Sequence, residues 1–67
     1  MYIHPDQRRA MGDAKINLLE AAGYEWQNTL PGGFWHPATD DSIDYHTVVN
    51  SCVSDLAKRI QQPPATP

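Results

Sequence analysis

The sequence predicts one small α+β domain in which two amphipathic helices flank a short antiparallel hairpin rich in aromatic residues. Three observations predict it: apolar stripes at helical spacing toward both ends of the chain, an aromatic-polar alternation between them, and the Leu30-Pro31-Gly32-Gly33 turn that interrupts that alternation. At 67 residues there is room for a single domain, expected over residues 1–62, with residues 63–67 as a disordered proline-rich tail.

A first helix is expected over residues 5–22. Pro5 with Asp6 beside it is a helix-start signature, because the first helical position needs no N–H and the helix dipole favours an acid there. Met11, Ala14, Leu18, Ala21 and Ala22 recur at three- and four-residue steps, with Leu19 at the margin of the stripe. Gly23 supplies the left-handed conformation that ends many helices. Gly12 is the weak point, since glycine within a helix costs about 1 kcal/mol relative to alanine. Either the helix begins later, with Asp13 as its cap, or another backbone packs closely against Gly12.

Strands are expected over residues 24–27 and 34–36. Tyr24-Glu25-Trp26-Gln27 has the period of a half-buried strand, and Phe34-Trp35-His36 returns after the turn and stops at Pro37. Two strands alone are marginal in water, so the aromatics should hold the hairpin against the helices, with Tyr24 and Trp26 on one face.

The second helix is expected over residues 42–61. Thr39, Asp40, Asp41 and Ser42 can each cap a helix, and Tyr45, Val48, Val49, Cys52, Val53, Leu56 and Ile60 then follow the helical template. Lys58 and Arg59 suit the negative end of the dipole, and Pro63-Pro64 forbid continuation. The core expected from both stripes is Met11, Leu18, Tyr45, Val48, Val49, Cys52, Val53, Leu56 and Ile60.

A core this small is marginal, and one cysteine excludes an internal disulfide framework. Tight helix packing, a metal or self-association must compensate, and a homodimer through a helix stripe is the expected form. The lone thiol, the lack of a hydrophobic leader and the lack of an apolar run near the roughly 18 residues that span a bilayer predict a cytoplasmic protein without membrane contact.

Several chemistries lack their geometry. Ser42, Ser51 and Ser54 sit at a cap or on a polar helix face with no strained elbow around them, and Cys52 falls in an apolar stripe where a thiol is inert. His36 and His46 are the weak candidates for a metal, but they stand ten residues apart without a second pair of ligands. Asp40, Asp41 and Asp44 lack the spacing, the glycine and the closing glutamate of a calcium loop. Gly32-Gly33 leads into a strand, not into the helix a phosphate cradle requires. No enzyme activity, metal or cofactor is therefore expected.

The charge pattern bears on partners. The net charge is −3, and between Lys15 and Lys58 every charged residue is acidic: Glu20, Glu25, Asp40, Asp41, Asp44 and Asp55. Such a stretch repels phosphates and attracts a basic surface. Trp and Phe are common anchors of interfaces, and the expected partner-binding residues are Trp26, Leu30, Phe34 and Trp35 rimmed by Glu25, Asp40 and Asp41. The helix-hairpin-helix layout, short length, acidic middle and tryptophan-bearing hairpin resemble the accessory proteins of bacteriophages and prophages. That resemblance implies binding and inhibition of a host protein, in the host cytoplasm.

The leading expectation is thus a non-enzymatic inhibitor or adaptor that docks an acidic, aromatic face on another protein. Direct nucleic-acid binding, through Arg8, Arg9 and Lys15 of the first helix, is the alternative, and the acidic stretch suits a nucleic-acid mimic. A small metal-binding protein is the third choice.

Overall fold

The computed structural model describes residues 3–29 and 32–61. Leu30 and Pro31 of the expected turn, and the expected tail, lie outside the described residues. Among those described there are four helices and a three-stranded antiparallel sheet, in the order α1 (Pro5–Met11), α2 (Asp13–Ala21), β1 (Glu25–Gln27), β2 (Gly33–Trp35), β3 (Ser42–Asp44), α3 (Tyr45–Asn50) and α4 (Val53–Gln61). The fold is mixed α+β as expected, but each expected helix is two helices and the hairpin gains a strand.

The first helix breaks at Gly12, whose φ of +90° and ψ of 141° no helix can contain. A Cβ there would meet nothing within 4 Å among the described residues, so none of their backbone approaches and the glycine serves the turn. The break also rotates the two segments against each other. Met11 is buried on α1, while α2 buries Ile16 and Leu19, leaving Leu18 half-buried and Ala14 and Ala21 exposed. The expected stripe treated α1 and α2 as one phase and so omitted Ile16. At the far end α2 closes as expected on Gly23, φ +101°, with Gly23 N–H donating to Glu20 O (3.0 Å) and Tyr24 N–H to Leu19 O (3.0 Å). This paired pattern satisfies the last carbonyls and aims the chain into β1.

The second expected helix loses both its start and its continuity. Ser42 does not cap a helix; Ser42-Ile43-Asp44 form β3, pairing Phe34 with Ile43 and Trp35 with Ser42. The helix starts at Tyr45 and stops at Ser51, whose ψ of 146° is extended. Thr47, Val48, Val49, Asn50 and Ser51 are weak helix formers, and the end they make is capped from elsewhere: Lys15 Nζ on α2 donates to Val48 O (2.8 Å) and Val49 O (3.2 Å). The extended link puts α4 in a new phase. Cys52 and Val53 therefore leave the core that the unbroken template assigned them: Cys52 is exposed and Val53 is 43 % exposed.

The core is Ile3, Met11, Ile16, Leu19, Tyr24, Trp26, Phe34, Ile43, Val48 and Leu56, with Leu18, Tyr45, Val49 and Ile60 packed against it as half-buried side chains. α2 packs on α4, α1 on α2 and α3, and α3 on β2 and β3. Alternation along each strand sends Trp26, Phe34 and Ile43 inward against this layer. Trp26 and Phe34 meet edge-on, with centroids 5.2 Å apart and planes at 70°. The Trp26 indole N–H is buried and has no hydrogen-bond partner among the described residues.

Candidate functional site

The same alternation that fills the core dictates what the outer face of the sheet presents. Two rows cross it. Glu25, Trp35 and Ser42 are register partners in one row, and Gln27, Gly33 and Asp44 in the next. All of these except Glu25 line an open groove of about 490 Å³, which Thr29, Gly32, Phe34 and Ile43 complete. Gly33 contributes no side chain to it, and β3 closes in on the gap, with Ile43 O and Asp44 Cα at 2.8 and 2.9 Å from where a Cβ would stand.

Trp35 is half-buried and held in place. Its indole N–H donates to Asp40 Oδ1 at 2.8 Å, so the ring is fixed against the turn that joins β2 to β3. That turn is itself tied by Asp40 N–H to His36 O and His36 N–H to Asp41 O, both 2.8 Å. Asp40 adopts φ +60°, the left-handed region that aspartate tolerates better than most residues. Thr39, Asp40 and Asp41, expected to cap a helix, thus build a turn between strands, and Ser42 opens β3. At the other end of the groove the Thr47 hydroxyl donates to the Asp44 carboxylate and holds it below the usual carboxylate range. Asp44 is therefore charged at neutral pH.

A second polar cluster lies on the edge between the turn and α4. Tyr24 Oη donates to Asp41 Oδ2 at 2.5 Å, and the Arg59 guanidinium donates to Asp41 Oδ1 (3.3 Å) and Ser42 O (3.1 Å). The hydrogen bond from Tyr24, then the one from Arg59, holds the Asp41 carboxyl below its ordinary range. Burial, then Asp41, pushes the Tyr24 hydroxyl up to about 12. These bonds clamp the turn to the end of α4.

The expected partner-binding residues therefore divide. Trp35, Glu25 and Asp40 share the outer surface. Trp26 and Phe34 are each 1 % exposed and belong to the core, because strand alternation turns them away from Trp35. Asp41 is engaged by Tyr24 and Arg59, and Leu30 lies outside the described residues. Gln27, Gly33, Ser42 and Asp44 were missed. The signal for Gly33 was its two-residue spacing from Trp35; for Ser42 and Asp44 it was hidden by the helical template that follows.

The histidines are apart. His36 Nδ1 accepts from Ala38 N–H (3.1 Å), so its Nε2 carries the proton donated to Ala22 O (3.0 Å), and its ring stands edge-on to Tyr24 at 5.1 Å. His46 is exposed beside Tyr45. Among the described residues no three His, Cys, Asp or Glu side chains come together as metal ligands. No helix among them is long and apolar enough to cross a membrane.

Compared with protein-family models, with curated proteins and with solved structures, the chain matches none. Its functional reading rests on this surface alone.

Proposed function

We propose that the chain is a non-enzymatic binding module, an inhibitor or adaptor that docks the outer face of its sheet on a basic protein surface. The observation that carries this reading is Trp35, a large aromatic held half-exposed by Asp40 between Glu25 and the Gly33 gap, away from the core that its neighbour Phe34 fills. An anchored aromatic loses little conformational freedom on binding, which makes it an efficient hot spot. The carboxylates around it select a partner of opposite sign and speed the encounter.

Direct binding to nucleic acid is less well supported. Arg8 pairs with Asp13 (3.2 Å), Arg9 with Asp6 (3.2 Å), and Lys15 is turned onto carbonyls of α3, so the basic residues of the first arm form no open cationic face. Among the described residues, support for a homodimer is confined to Val53 and the adjoining Cys52, a small area against the roughly 800 Å² per partner of a stable interface.

The test is affinity capture from the source cells with the intact chain and with Trp35→Ala. The expected result is a basic protein retained by the wild type, released by rising salt and lost by the variant, with thermal unfolding of the two nearly the same. Retention of the same partner by both forms overturns the reading.

A further inference from the structure

We infer that the groove on the outer face receives an arginine side chain of the partner, its guanidinium lying over the Trp35 indole and hydrogen-bonded to the Asp44 carboxylate. This rests on the docking reading and names the chemistry that the docking face recognises.

The argument begins with what covering the groove would do. Asp44 lines it and is ionised, so a partner that excludes water from the face buries a carboxylate. Left unpaired, that carboxylate would cancel the gain from the apolar contact, and an anionic or purely apolar partner is therefore excluded. The partner must bring a cation with hydrogen-bond donors. Four of the chain's five Lys and Arg residues are engaged elsewhere: Arg59 is bonded to Asp41 and to the Ser42 carbonyl, Lys15 caps α3, and Arg8 and Arg9 are paired with Asp13 and Asp6.

The second step concerns the shape of the cation. Trp35 forms an aromatic wall at one end of the groove, Asp44 stands at the other, and the bare backbone of Gly33 lies between them, with Gln27 across from Asp44. A guest must therefore present, over the bare glycine, a flat cationic group that meets the ring on one side and offers donors to the carboxylate on the other. Guanidinium does both at once, being planar, weakly hydrated and forked to match a carboxylate; an ammonium is a hydrated point charge that satisfies one or the other. The bond from Trp35 Nε1 to Asp40 adds to the effect, because a carboxylate accepting from the indole N–H enriches the ring's electron density and so its hold on a cation. Glu25, the cross-strand neighbour of Trp35, adds its charge from β1.

The probe is a capped glycine-arginine-glycine tripeptide titrated into the whole protein, followed by amide and indole proton–nitrogen NMR. The expected result is saturable shifts at the Trp35 indole N–H and the Gly33 and Asp44 amides. The matching citrulline tripeptide, equal in shape but uncharged, binds at least about fivefold more weakly, and the lysine tripeptide is weaker than the arginine one. Trp35→Leu and Asp44→Asn each reduce the arginine affinity about fivefold; asparagine keeps an acceptor for Thr47, and Glu25→Gln, remote from any cap, reduces it less. Equal binding of citrulline or lysine, shifts scattered over Asp6, Asp13 and Asp55, or no saturable shift overturns the arginine assignment. If the tripeptide fails while Trp35→Ala still loses a basic partner in the capture experiment, the docking face stands without arginine. If the tripeptide binds but Trp35→Ala retains the partner, the arginine site stands and the docking reading falls.

Discussion

The two faces of one three-stranded sheet are built from alternate residues of the same short segments, yet they do opposite things. Trp26, Phe34 and Ile43 face the helices and are each 1 % exposed; Trp35, one residue from Phe34, faces out and is bonded to an exposed loop acid. The difference teaches that aromatic content by itself says little about binding. What separates an anchor of the core from an anchor of an interface is strand parity, and the parity of β2 is pinned on both sides, by β1 and by β3.

The largest test of that contrast is to truncate the neighbours. Phe34→Ala should cost about 3–5 kcal/mol in denaturant unfolding, because it leaves a void beside Trp26. Trp35→Ala should cost about 1 kcal/mol or less, its loss falling on partner binding. Comparable destabilisation by both would show the outer face to be structural. Next in size is the parallel contrast in and just before α4, where Leu56→Ala should cost about 2–5 kcal/mol. Cys52→Ser and Val53→Ala should each stay within about 0.5 kcal/mol, as exposed positions do.

A smaller effect is expected at Lys15. Lys15→Met keeps the aliphatic stem but removes the donors from the Val48 and Val49 carbonyls, and should lower stability by about 1–2 kcal/mol. The smallest effects are those of pH on the clamp at the edge of the sheet. Asp41 is more acidic in the folded chain than in the unfolded one, so its contribution is complete at neutral pH and is lost as pH falls below the ordinary carboxylate value toward the depressed one. Tyr24 is shifted the other way, from 10.0 to about 12, so its contribution is complete below pH 10 and is lost as pH rises toward about 12. Tyr24→Phe should remove the alkaline loss and weaken the acid one, measured as unfolding midpoints across pH.

The alternation of the hairpin was legible in the sequence, but which residues face inward was not: Trp26 and Phe34 were expected to bind a partner and Ile43 to lie in a helix, while Trp35, Glu25 and Asp40 were expected at the surface where they stand. Tyr24-Glu25-Trp26 alternates, and the hairpin around Gly32-Gly33 follows from turn chemistry. β3 was hidden because three residues are too few to show a period, and because Thr39 to Ser42 read as caps for the helix beyond. The break at Ser51 was hidden for a different reason: its compensation, the Lys15 ammonium, comes from 33 residues away in the sequence for the Val48 carbonyl. Local propensity hinted at the stop through Val48, Val49, Asn50 and Ser51, but the regular spacing of Val49, Cys52, Val53 and Leu56 outweighed it. Gly12 could be read as a weakness in the first helix; that the chain turns there, with nothing among the described residues packed against it, needed the backbone angles.

The Lys15 bridge has a consequence for how the molecule opens. One ammonium closes the end of α3 while belonging to α2, so neither helix keeps its full set of hydrogen bonds if the other leaves. The amides of α2 and α3 should therefore exchange with deuterium as one unit, with a common free energy of opening, although the chain between them includes the whole sheet. In Lys15→Met that unit should divide, with α3 exchanging first and α2 keeping its protection, which would make a single side chain the seam that joins the two halves of the domain.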